Sequence, residues 1–134
     1  MKITSEQAML DFGKSFAKQI RPPAVIELIA DVGAGKTTFV RGFAKGLGVK
    51  EPITSPSFTI SKQYALPGNK KLVHYDFYRL PDPGLMSEDL QENLNDKNTI
   101  VIVEWADSIS SILPNDHTRI TINYNDDNTR NVDI

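Results

Sequence analysis

"AVIELIADVGAGKTTFVRGFAKGLG", residues 24–48, decides the fold. A short β-rich apolar run at 24–29 predicts a buried strand. "TTFVRGFAKGLG" predicts a helix closed by Gly46 or Gly48. Between them, residues 30–37 read as G-x-x-x-x-G-K-[ST], with Ala30 where the first glycine stands. Strand before and helix after are the context in which this spacing cradles phosphate. Gly33, Ala34 and Gly35 are small enough for backbone N–H groups to wrap an anion, with Asp31 and Val32 completing the loop. The helix start adds its N–H groups and dipole. Lys36 reaches the β- and γ-phosphates, Thr37 places a hydroxyl for Mg²⁺, and Thr38 lies beside it. Alanine at 30 adds one methyl group. It carries strain of about 1 kcal/mol or more only if that position needs a positive φ.

The rest of the chain bounds the setting. With 134 residues, 40% of them hydrophobic, the expectation is a single α/β domain spanning 1–134. The formal charge of −2 speaks against a general nucleic-acid or anionic-membrane binder. Residues 1–50 hold eight Lys/Arg against four Asp/Glu, a mild excess that suits a polyphosphate; residues 51–134 reverse it. The absence of cysteine excludes disulfides, thiolate metal sites and cysteine nucleophiles. The opening "MKITSEQAML" lacks a signal-peptide core, and no apolar run reaches membrane-spanning length, so a soluble cytoplasmic protein is expected.

Residues 4–20 predict a helix, capped by Thr4 with Gln7, whose Met9, Phe12, Phe16 and Ile20 form one stripe; "RPP" at 21–23 ends it. Strands follow around "SFTISKQYAL" and "KLVHYDFYRL", joined by a turn at Pro67–Asn69. "LMSEDLQENL" reads as an acidic helix with Ser87 as its cap. "NTIVIVEWA" is a buried strand, then comes a short helix to Leu113. Two terminal strands, "TRITINY" and "TRNVDI", close the chain. The sheet should be mixed, partly parallel and flanked by helices.

A phosphate loop calls for an acidic group at a strand end to hold Mg²⁺, often through water. Glu104 ends four aliphatic residues and fits; a solvated strand-end glutamate is the plainer alternative. Asp107 competes but suits a helix cap better. Alternation puts His74, Asp76 and Tyr78 on one strand face, and Val73, Tyr75 and Phe77 on the other. That polar face borders a site or is half solvated. Asp76 is placed to orient water, and His74 and Arg79 to touch phosphate or a partner. Ser55–Pro56–Ser57–Phe58 is a hydroxyl-rich turn suited to sensing a γ-phosphate, or simply to starting a strand.

In order, "ADVGAGKTTF", "SPSF", "HYDFYRL" and "VEW" resemble the bacterial TsaE (YjeE) family, over roughly residues 5–134. The resemblance implies a phosphate-loop ATPase using ATP and Mg²⁺ in making threonylcarbamoyladenosine in tRNA. It implies that Gly33, Gly35 and Lys36 hold phosphates, Thr37 and Glu104 the metal, and that Asp76, Lys36 and Glu104 serve hydrolysis. Ser55–Phe58 would be a switch near Trp105. The partner would be a TsaD–TsaB complex that presents the tRNA, with this chain a monomer when isolated. His74, Tyr78, Arg79 and Trp105 are candidates for that partner surface; Arg130 and the start of the N-terminal helix are candidates for gripping adenine. The chain departs from the family pattern at Ala30 and at "RPP". Two other readings stand: a nucleotide-gated binding module that hardly hydrolyses, and a small-metabolite kinase, which would need an arginine-bearing lid not visible here.

Overall fold

A computed structural model describes residues 1–30, 33–54, 56, 60–78 and 84–134, leaving aside the side chains at 85 and 108. Asp31, Val32, Ser55, Ser57, Phe58 and Arg79 therefore lie outside the described residues. In chain order the elements are β1 (Lys2–Ile3), α1 (Glu6–Ala17), β2 (Ala24–Ala30), α2 (Lys36–Leu47), β3 (Ser61–Leu66) and β4 (Lys70–Asp76). Then come α3 (Leu85–Leu94), β5 (Thr99–Glu104), a 3-10 helix Ala106–Ile112, β6 (Thr118–Tyr124) and β7 (Arg130–Asp133). The strands form one mixed sheet ordered β1-β7-β6-β2-β5-β4-β3. The expected α/β class, with helices flanking a partly parallel sheet, is what the chain adopts. Chain contacts divide it into two compact units.

The first unit comprises Met1–Ile20, Leu28–Thr54 and Arg119–Ile134. Helix α1 starts at Ser5, whose hydroxyl accepts from the Ala8 N–H at 3.0 Å. The cap is thus Ser5 and not Thr4, and Gln7 instead donates to Asp11 at 3.0 Å. The helix ends at Ala17, three residues before Ile20 and well before "RPP". Its buried face, Met9, Gly13, Phe16 and Ala17, packs on α2. Phe12, Phe16, Phe39 and Phe43 make the aromatic seam, with ring centroids 5.8–6.2 Å apart. Gly48 closes α2 at φ 103°, while Gly46 lies inside the helix against α1. The two-residue β1, which the sequence did not announce, pairs antiparallel with β7.

The second unit comprises Arg21–Glu27 and Ser55–Thr118. Here β3 and β4 form the expected antiparallel hairpin, and β4 pairs in parallel with β5. Every residue of β5 is buried, which is why it reads as an unbroken aliphatic run. Val73, Tyr75 and Phe77 share a core with Val101, Val103, Leu90 and Ile109. Inside this core the Tyr75 hydroxyl donates to Asp89 at 2.5 Å and accepts from Asn93 Nδ2 at 2.6 Å. Two expected caps do not form. Gly84, at φ 52°, precedes α3 with Ser87 inside it, and Asp107 lies within the first turn of the 3-10 helix, behind Trp105.

Candidate functional site: a phosphate loop and an acidic strand end

In the first unit, β2 runs extended to Ala30, so alanine there meets no left-handed requirement. The positive φ angles fall later, at Gly33 (82°) and Gly35 (105°), where the spacing keeps glycine. Gly35 is the N-cap of α2, and no side chain caps that helix start. An α-helix leaves its first N–H groups without intrahelical acceptors, and here they begin at Lys36, Thr37 and Thr38. Ala34 is fully buried, whereas Gly33 and Thr37 are exposed. The loop is thus anchored at its middle and open at its rim, the form that suits a phosphate chain.

Arg130, at the start of β7, is tied into this loop. Its Nε donates to the Ala34 carbonyl at 3.3 Å, and its two terminal nitrogens donate to Asn128 O at 2.9 Å and to the Tyr124 hydroxyl at 2.7 Å. The guanidinium also lies 4.1 Å from the Tyr124 ring centroid. A cavity of about 230 Å³ opens between Ser5, Glu6, Met9, Gly33, Gly35, Thr38 and Arg130. It lies below the roughly 300 Å³ at which whole-ligand clefts begin, a size for part of a nucleotide beside the loop. The start of the N-terminal helix and Arg130, singled out in the sequence, do meet at one cavity. Tyr124 and Met9 were missed as its supports: one reads as an ordinary strand residue, the other as core.

In the second unit the acidic elements converge. Asp76 and Glu104 are register partners at the ends of β4 and β5. Alternation sends His74, two residues before Asp76, to their face, and His74 Nε2 bonds Glu104 Oε2 at 2.5 Å. His74 is 3% exposed and Glu104 5%. This corrects the expectation of a partner-facing His74: the imidazole is interior and engaged with the carboxylate. Asp76 Oδ1 accepts from the Tyr78 N–H at 2.9 Å. Tyr78 and Trp105 remain exposed and pack on each other with ring centroids 4.7 Å apart.

Backbone strain gathers at the same strand ends. Trp105 sits at φ 57° and Ile60 at φ 69°, the latter an uncommon conformation for a β-branched residue. Pro56, the one described member of the expected switch, is buried, and its carbonyl accepts from the Ile60 N–H at 2.7 Å. The Ile60 carbonyl in turn accepts from the Asp76 N–H at 2.8 Å. Pro56 is therefore linked by backbone hydrogen bonds through Ile60 to the strand end that carries Asp76.

Among the described residues no group of three His, Asp or Glu side chains forms a metal cage. Mg²⁺ does not require one: it is held by one or two hard oxygen donors with phosphates and water. The Thr37 hydroxyl and the Glu104 carboxylate are donors of that kind. No helix among the described residues is long and apolar enough to cross a membrane.

The chain is similar to known proteins of one family. Residues 3–132 match the family model described as threonylcarbamoyl adenosine biosynthesis protein TsaE. The chain is 34% identical to the tRNA threonylcarbamoyladenosine biosynthesis protein TsaE of Haemophilus influenzae, covering 98% of this chain and 85% of that protein. It is 40% identical to the Bacillus subtilis protein of the same description, over 94% and 76%. A crystal structure of Bacillus subtilis YdiB is similar at TM-score 0.77 and 35% identity, over 98% of this chain and 80% of that one.

Proposed function

The chain belongs to the TsaE family of threonylcarbamoyl adenosine biosynthesis proteins, and from that premise we propose that it is a Mg²⁺-dependent ATPase that supports this tRNA modification by acting on a TsaD–TsaB complex in the cytoplasm. The observation that carries the reading is the loop itself: two glycines at positive φ deliver an uncapped helix start bearing Lys36. Arg130 is bonded to the loop's own backbone.

Each residue takes a role its chemistry suits. Gly33, Ala34 and Gly35 turn backbone N–H groups toward the phosphates, with Asp31 and Val32 in the same loop. Lys36 offsets the charge that builds on the β–γ bridge as it breaks. Thr37, with Thr38 beside it, and Glu104 hold the cation, which when bound neutralises phosphate oxygens. Asp76 orients the attacking water; the water's oxygen bonds the γ-phosphorus as the bridging oxygen leaves with ADP, and the water's proton passes to the released phosphate. Ser55–Phe58 follow the γ-phosphate through the Pro56–Ile60–Asp76 backbone links. Tyr78, Trp105 and Arg79 form the partner surface, and the partner complex, in place of this acidic chain, contacts tRNA.

A nucleotide-gated binding module without turnover is the second reading, favoured by the exposed Tyr78–Trp105 pair. The extended backbone at Ala30 removes the strain that would have spoken for it. Mg²⁺-dependent ATP hydrolysis by the chain, alone and with TsaD–TsaB, separates the readings. We expect partners to raise a rate that Lys36→Ala lowers about a hundredfold. ATP binding without Lys36-dependent turnover under either condition overturns the enzyme and leaves the module. Phosphate appearing on a small-molecule acceptor in place of water would establish a kinase.

A further inference from the structure

His74 is a buried histidine with only one of its two ring nitrogens satisfied. Nε2 lies against Glu104 Oε2, while Nδ1 is enclosed with no hydrogen-bond partner among the described residues. A proton on Nδ1 would be a buried donor with nothing to receive it, and would leave the bare Nε2 lone pair facing a carboxylate oxygen. A proton on Nε2 meets a carboxylate directly. The ring thus carries its proton on Nε2 and donates to Glu104. Strand pairing holds the ring there: His74 is the register partner of Lys62 on one side and of Ile102 on the other. From that position it reaches diagonally to Glu104, two residues beyond Ile102.

We infer that His74 is a positioning residue for Glu104, fixing one carboxylate oxygen by the Nε2–H bond so that the carboxylate holds a single orientation toward the divalent cation. The inference rests on the proposed role of Glu104 at Mg²⁺. The last torsion of a glutamate side chain is broad, so a hydrogen bond to one carboxylate oxygen narrows the orientations open to it. The His74 bond to Oε2 contributes that restriction before the cation arrives, as donors behind metal ligands do elsewhere. His74 itself contacts neither cation nor nucleotide.

The test reads metal binding separately from nucleotide binding and from turnover. ADP affinity in EDTA is measured by calorimetry, and Mn²⁺ is titrated into the ADP-saturated protein and followed by electron paramagnetic resonance. Three variants are compared. His74→Phe fills the space without a donor, His74→Gln keeps an N–H near the Nε2 position, and His74→Asn places its amide too short to reach Glu104. We expect Phe and Asn to weaken Mn²⁺ about tenfold with ADP affinity in EDTA unchanged, and Gln to recover most of the loss. If Phe does not fold, the contrast between Gln and Asn decides. Equal Mn²⁺ affinity in wild type, Asn and Phe, or a Gln variant as weak as Asn, overturns the inference. A wild-type chain that binds no ADP in EDTA overturns the phosphate-loop reading instead. Ring ¹⁵N shifts then still judge the pair: the chain has two histidines, and one must show an Nε2–H signal that Glu104→Gln perturbs.

Discussion

Arg130 Nε donates to the carbonyl oxygen of Ala34 at 3.3 Å, joining the start of the last strand to the middle of the phosphate loop across 96 residues of chain. The guanidinium is held on three sides by Ala34 O, Asn128 O and the Tyr124 hydroxyl. Arg130→Ala should leave the fold intact and weaken ADP about tenfold, since bonds to a charged donor are worth about 1.5–3 kcal/mol. Arg130→Lys should not restore it, because an ammonium lacks the planar fork that serves three acceptors. Calorimetric titration with ADP checks both.

Gly13 and Gly42 let the backbones of α1 and α2 touch. A Cβ at Gly13 would sit 2.6 Å from Phe39 O and 2.7 Å from Phe43 N, and one at Gly42 would collide with the Leu10 backbone. Alanine normally gains about 1 kcal/mol over glycine inside a helix. Here Gly13→Ala and Gly42→Ala should each destabilise by about 2 kcal/mol, because backbone atoms cannot step aside. Urea unfolding measures this, and a stabilised variant would refute the close crossing.

Tyr75 should govern part of the alkaline limit. Burial first, and then its bond to Asp89, hold the phenol well above its ordinary value near 10. The folded state therefore keeps the proton more tightly than the unfolded chain. Its stabilisation is complete below pH about 10 and is lost as pH rises from there toward the folded value. Tyr75→Phe should cost about 1–3 kcal/mol at neutral pH by stranding Asp89 and Asn93. It should also flatten the loss of stability above pH 10, followed by circular dichroism.

Asp127 has the opposite sign. The Thr129 hydroxyl, then Lys2, lower its carboxyl to about 2. Its contribution is present above about pH 3.9 and disappears as pH falls through about 2. The Lys2 bond is exposed, at 3.1 Å, so salt should weaken its part. Carboxyl NMR titration should show the depressed midpoint, and Thr129→Ala should return much of it.

How much of this was legible in the sequence depends on the range of the forces involved. Gly33, Gly35 and Lys36 were readable because a loop that turns from strand to helix makes its demands within a few residues. The place of Glu104 was readable because four aliphatic residues ending in a carboxylate already imply the end of a buried strand. Caps were less so: Thr4 and Ser5 are both competent N-cap residues, and only the chain's entry into α1 chose Ser5.

The sequence by itself determined the glycine-bearing turn at Gly33 and Gly35, the strand and helix around it, and the alternation that puts His74 and Asp76 on one face. Each follows from local backbone preference or from a period of two or 3.6 residues. The tertiary structure alone decided that the His74 face is interior, that α1 and α2 meet glycine to backbone, and that Arg130 closes on Ala34. A strand's period separates its two faces but does not say which of them a neighbour will cover. Nor does it say what residue, far off in the chain, will supply the missing hydrogen bond.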